Sequence, residues 1–188
     1  KVLDTFEYDD IHRILSAAPG VYYREEDGYG LRPNIGMRGV SSDRSKKVVI
    51  MEDGVLIAPA PYAAPAGYYF PLTTRLGAVE IYKGPTMLPY GPNTLGGAIN
   101  LVTAAMPYGP VAEFDLELGQ DTFGRLHARV GDGGDNWSYF VDMAHLETDG
   151  FKVVDGGGKS GYLRNDLLFK ARWDSDPAGS TLHRVDIK

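Results

Sequence analysis

Hydrophobic residues in this chain follow two rhythms, and one gives way to the other at Ala104-Ala105-Met106-Pro107-Tyr108-Gly109-Pro110. Before that stretch the apolar runs are brief and bounded by glycine and proline: 21–23, 35–38, 48–51, 55–57, 79–82 and 98–102. Each has the length of a short strand. Ahead of them Ile11, Ile14, Leu15 and Ala18 stand at helical spacing behind Asp9-Asp10, and Pro19-Gly20 stops the run. One small amphipathic helix and a short mixed sheet predict an α+β domain over 1–106.

After the break the period is two. Phe114, Leu116 and Leu118 alternate with Glu113, Asp115 and Glu117, and Leu126, Ala128 and Val130 alternate with Arg125, His127 and Arg129. Trp137, Tyr139, Val141 and Met143 follow, then Leu163, Leu167, Phe169, Ala171 and Trp173 against Arg164, Asp166, Lys170 and Arg172. Such alternation predicts antiparallel strands over 107–188, each with one apolar and one largely polar face. Their joints fall at 119–122, 131–135, 149–161 and 174–179. Strands of about 10 residues with aromatics near their ends fit a transmembrane β-barrel, whereas strands of soluble sheets usually run about 5 or 6 residues. A soluble antiparallel sheet alternates in the same way, so a soluble or surface-exposed β-rich ligand-binding module stands as the alternative.

Composition narrows the function classes. The 188 residues carry a net charge of −6, with basic residues scattered among acids, which speaks against nucleic acid as a partner. The 24 glycines and 12 prolines suit turns and strands rather than long helices. Cysteine is absent, which removes disulfides, thiolate metal sites and cysteine nucleophiles. No apolar run reaches the length of a membrane helix, leaving strands as the one route across a bilayer. The chain begins at Lys1, so a processed or excised piece of a longer protein is expected.

Catalytic constellations fail on inspection. Residues 91–97 have the glycine spacing of a phosphate loop, but Gly97 and Ala98 stand where lysine and a hydroxyl residue are needed. Gly156-Gly157-Gly158-Lys159-Ser160 supplies those two, yet Val153 occupies the leading glycine position. His12, His127, His145 and His183 are far apart, none with a second ligand at metal spacing, so no metal site and no catalytic residue is expected. His127, between Arg125 and Arg129, is expected to face the lumen of a barrel. Glu25-Glu26-Asp27 reads as a solvated loop.

Three segments, in order, resemble the plug signature of TonB-dependent outer-membrane receptors. They are Asn34-Ile35-Gly36-Met37-Arg38-Gly39; then Val48-Val49-Ile50-Met51-Glu52-Asp53-Gly54-Val55; then Val79-Glu80-Ile81-Tyr82-Lys83-Gly84-Pro85, continued by Tyr90-Gly91-Pro92 and Gly96-Gly97-Ala98-Ile99-Asn100-Leu101-Val102-Thr103. The alternating strands sit where that family begins its barrel. Residues 27–33 and 58–62 are most similar to the ferric dicitrate receptor branch, although Ala63, Ala64 and Ala66 lack the polar side chains of that branch.

The resemblance implies a bacterial outer-membrane location and energy-coupled import of a ferric chelate, ferric citrate or a siderophore. It implies TonB as partner, through an N-terminal box that would precede Lys1, lipid around a barrel of roughly 22 strands, and no cofactor beyond the carried chelate. A plug filling a polar-walled barrel needs charged groups, and Arg38, Glu52, Arg75, Glu80 and Lys83 suit pairing with each other or with the wall. Glycine at Gly84, Gly91, Gly96 and Gly97 permits close backbone approach. Two loops are candidates for the ligand: 41–47, with Arg44, Lys46 and Lys47 to attract an anion, and 58–71, with Tyr62, Tyr68 and Tyr69 to shape a pocket.

Overall fold

Residue 18 precedes a proline, which disfavours helical backbone, and that fixes how the fold begins. In a computed structural model, which describes residues 10–57, 63–67, 69–84, 90, 95–175 and 184–188 without the side chains of 154, 184 and 186, the first helix α1 covers only Ile11–Leu15. Asp10 caps it by accepting from the His12 amide at 2.8 Å. The spacing that predicts helix as far as Ala18 instead closes a tight turn, with Ala18 N donating to Leu15 O and Val21 N to Ala18 O.

The chain divides into two compact units, Lys1–Ala104 and Ala105–Lys188. In the first, β1 (Val21–Arg24) pairs antiparallel with β2 (Asn34–Met37). A four-stranded sheet follows in the order β4-β3-β6-β5, built from β3 (Val48–Glu52), β4 (Val55–Leu56), β5 (Leu76–Tyr82) and β6 (Gly97–Thr103). β3 runs parallel to β6, and the other pairs are antiparallel. Every residue of β3 is buried, which explains its unbroken apolar run: a central strand covered on both faces has no use for alternation. One face packs Val48, Ile50, Ile99 and Leu101 with Ile11, Leu15, Ile35 and Met37, while Val49, Met51 and Ala98 pack with Leu56, Tyr82 and Tyr90 on the other.

Asp53-Gly54 turns β3 into β4 with φ of 49° and 80°, the left-handed pair an Asp-Gly hairpin provides. The Asp53 carboxylate also accepts from Thr103 N at 2.9 Å and Thr103 Oγ1 at 2.7 Å, fastening this turn to the end of β6. Gly97 meets the demand for close approach: a Cβ there would lie 2.6 Å from Met37 Cε and 2.7 Å from Tyr82 O.

The second unit is one antiparallel sheet in the order β13-β12-β9-β8-β7. Its members are β7 (Val111–Leu118), β8 (Gly124–Gly133), β9 (Trp137–Thr148), β12 (Tyr162–Asp174) and β13 (Arg184–Ile187), with a small hairpin of β10 (Val153–Val154) and β11 (Gly158–Lys159) between β9 and β12. Strands β8, β9 and β12 have 10, 12 and 13 residues, long enough to cross a bilayer. The joint expected at 131–135 is shorter than its composition suggests, because Gly131 and Gly133 stay in the ladder opposite Phe140 and Ser138. No helix among the described residues is long and apolar enough to cross a membrane.

Candidate functional site

Loop 41–47 turns through a 3-10 segment, Asp43–Ser45, that the buried Ser45 anchors: its Oγ accepts from Ile35 N and donates to Pro33 O, both at 2.9 Å. Arg44 takes a left-handed φ of 50°, and its amide donates to Asn34 Oδ1 at 2.8 Å. The exposed Arg44 side chain lines a cavity of about 230 Å³ together with Glu26, Arg32, Pro33, Asn34, Ala64, Ala66 and Gly67. Lys46 points its charge elsewhere: Nζ lies 2.7 Å from Asp43 Oδ2, and that bond holds the Asp43 carboxyl below its ordinary range. Lys47 is half-buried, and its carbonyl accepts from Gly96 N at 2.9 Å.

Tyr69 is 39% exposed and accepts from the Arg75 guanidinium at 2.6 Å. Tyr62 and Tyr68 lie outside the described residues. Arg32 and Glu26 share the cavity with Arg44, which sequence reasoning misses because the β1–β2 hairpin brings the two loops together. Glu25 and Glu26 are exposed, as a solvated loop expects, while Asp27 accepts from the amides of Tyr29 at 2.7 Å and Arg32 at 3.1 Å, shaping the hairpin tip.

The charged residues expected to pair find different surroundings. Glu52 and Arg75 meet inside the unit at 2.8 Å. Glu80 accepts from Asn100 Nδ2 at 2.8 Å and the Tyr82 hydroxyl at 2.7 Å. Those bonds hold Glu80 below its usual value, and the Glu80 carboxylate pushes the Tyr82 phenol well above its own. Lys83 donates to the Pro19 carbonyl. Arg38, at φ 54°, is exposed. The fold also gathers Asp10, His12 and Glu25, one ligand atom from each lying within 4.8 Å of the others. A search for metal ligands along the sequence does not find this set, because Glu25 returns to the helix only through the turn into β1.

In the second unit, cross-strand registers sort residues onto two unlike faces. One carries a ladder of charge: Arg125 pairs with Glu117 at 3.0 Å, His127 lies 3.2 Å from Asp115 and 3.1 Å from Asp142, and Arg129 joins Asp142 at 2.8 Å and Glu113 at 2.9 Å. His127 thus shares the charged face with both arginines. Opposite it stand Phe114, Leu116, Leu118, Leu126, Val130, Met143, Leu163, Leu167 and Phe169, each between 40% and 78% exposed. Trp137, Tyr139 and Trp173 gather at one end of this apolar face, beside the short joint 134–136. An apolar face that large is out of place in water, whereas hydrocarbon suits it and interfacial aromatics edge it.

A small α+β unit followed by such a sheet has the make-up of a plug domain with the first strands of a transmembrane β-barrel. Residues 1–98 match the TonB-dependent Receptor Plug Domain, and the chain belongs to that family. It is a family of outer-membrane receptors rather than enzymes, and the chain's location is the outer membrane. Over 165 residues, 80% of this chain and 26% of the relative, it is 27% identical to the vitamin B12 transporter BtuB of Photobacterium profundum. Its fold is similar to that of the siderophore receptor PirA from Acinetobacter baumannii, with TM-score 0.70, 20% identity, and coverage of 93% of this chain and 28% of that one. The ferric citrate transporter FecA gives TM-score 0.69 at 21% identity, over 86% of this chain and 26% of its own. The chain spans about a quarter of the length of the curated relatives it matches. No single branch of the family, the dicitrate branch included, is picked out by these likenesses.

Proposed function

We propose that this chain is the gate and first wall strands of a transporter that imports a ferric chelate across the outer membrane, driven through TonB. The observation that carries the membrane part of this reading is the exposed apolar face running from Phe114 to Phe169, set against the charged ladder of Arg125, His127 and Arg129 on the same strands. A soluble binding module would not leave that face in water. Bacterial barrels have short periplasmic turns and longer outer loops, so the joint 134–136 is assigned to the periplasmic side and 149–161 to the outside.

An anionic cargo is supported by Arg44 and Arg32, which line one cavity with the single acid Glu26, since two guanidiniums there suit carboxylate or catecholate oxygens. The relatives' vitamin B12 transport makes a corrinoid the rival cargo. Titration of ferric dicitrate, a ferric catecholate and cobalamin against the wild type and Arg44→Ala, Arg32→Ala tests this. Tight binding of one ferric chelate that drops about tenfold or more in the double variant is expected, one charge-assisted contact alone contributing about 1.5–3 kcal/mol. Binding of cobalamin alone would replace the cargo. Binding of no chelate, with 107–188 remaining monomeric and soluble without detergent, would sink the transport reading.

A further inference from the structure

His12 is 1% exposed, and among the described residues neither ring nitrogen has a hydrogen-bond partner. Its Nδ1 lies 2.9 Å from Asp10 Oδ1, a close contact without hydrogen-bond alignment. An imidazole buried in that state leaves polar atoms uncompensated, and native proteins rarely tolerate this without a partner. The ring is held in place, stacked on Tyr23 with centroids 4.5 Å apart and planes 22° from parallel. Glu25, one residue beyond β1, completes the set within 4.8 Å.

We propose that Asp10, His12 and Glu25 form a binding site for a divalent transition metal of the zinc class. An imidazole nitrogen with two carboxylates is a borderline donor set, suited to Zn²⁺ and its neighbours rather than to Mg²⁺, which prefers oxygen alone. Two neighbouring charges are already engaged. Arg24 is engaged by Glu26 at 3.0 Å and reaches Asp43 at 3.9 Å, and Asp27 spends its carboxylate on backbone amides. Gly30, at φ 72°, passes so close that a Cβ would sit 2.2 Å from Asp10 Oδ1. Glycine there keeps the carboxylate's approach clear. Both carboxylates belong to segments far apart along the chain, so a bound ion ties the start of α1 to the β1–β2 loop and stabilises the plug by mass action.

The test is competition between the chelator-stripped chain, in detergent, and a fluorescent zinc chelator, with Mg²⁺ as control and Co²⁺ absorption to report ligand type. One equivalent of Zn²⁺ bound in preference to Mg²⁺ is expected. Glu25→Gln, an exposed change that leaves the fold intact, should weaken binding about tenfold or more, since even outer-shell substitutions cost that much. His12→Asn should abolish it, and Asp155→Asn, an exposed change in the second unit, should leave it unchanged. Should His12→Asn fail to fold, Glu25→Gln and the Co²⁺ spectrum still decide. Equal affinity of wild type and Glu25→Gln, or no preference for Zn²⁺ over Mg²⁺, overturns the proposal.

Discussion

The Arg75 guanidinium and the Glu52 carboxylate stand 2.8 Å apart in the interior of the plug, their side chains 6% and 9% exposed. Arg75 sits at the end of a 3-10 turn, Thr73–Arg75, and Glu52 ends β3, so the pair joins the turn before β5 to the centre of the sheet. Arg75 also donates to Tyr69. Removing one partner strands a buried charge, a loss of about 3–5 kcal/mol. Arg75→Met should therefore destabilise the plug by about that amount, and adding Glu52→Leu should restore much of it. Amide exchange across β3 during denaturant titration reads this locally.

Gly97 and Gly20 both have positive φ, 156° and 74°, and differ in what an added Cβ would meet. At Gly97 a Cβ would meet the Tyr82 carbonyl at 2.7 Å, whereas at Gly20, φ 74°, it would meet nothing within 4 Å. Gly97→Ala should cost about 1–3 kcal/mol through forced displacement of β5, and Gly20→Ala about 1–2 kcal/mol through left-handed strain alone. Equilibrium unfolding of both variants checks the order, and equal losses would refute the steric account of Gly97.

Leu116 is 63% exposed on the apolar face of β7, and its chain neighbours Asp115 and Glu117 are on the other face. Leu116→Lys should weaken folding into lipid bilayers by up to about 2–4 kcal/mol, the penalty for a lysine at the bilayer midplane, which falls toward the interfaces. Retention of full stability in liposomes would argue that this face meets something other than hydrocarbon.

Asp149, in the loop after β9, is 2.8 Å from Lys159 Nζ and accepts from Thr122 Oγ1 at 2.6 Å. Lys159 first and Thr122 second hold its carboxyl below the ordinary value. A folded value below the unfolded one means stabilisation that is complete above about pH 4 and disappears as pH falls through the folded value. A carboxyl ¹³C titration should place Asp149 low in the wild type and higher in Lys159→Ala. An unchanged midpoint in that variant would remove the ion pair from the account.

Much of the architecture could be read from the sequence because its two rhythms have separate physical origins. Central strand β3 shows an unbroken apolar run, and β7 to β12 show strict alternation, each the signature of its surroundings. What escaped reading lies where one local rule overrode another. Gly77 interrupts the pattern at the start of β5, where the ladder shifts register between Leu76 and Ala78, so the strand begins earlier than its apolar run. Gly131 looks like a turn residue but is a ladder residue: a Cβ there would lie 2.7 Å from Phe140 Cβ. The cavity partners Arg32 and Glu26, and the Asp10, His12, Glu25 cluster, depend on a hairpin and a turn that bring distant positions together. Spacing along the chain carries no trace of either.

Strands β7 and β13 flank the sheet, each with a neighbour on one side only among the described residues. In hydrocarbon an amide or carbonyl without a partner costs several kcal/mol. A margin of this sheet left open to lipid would carry that cost along its whole length, so wherever either margin meets the bilayer its backbone groups need hydrogen-bond partners there.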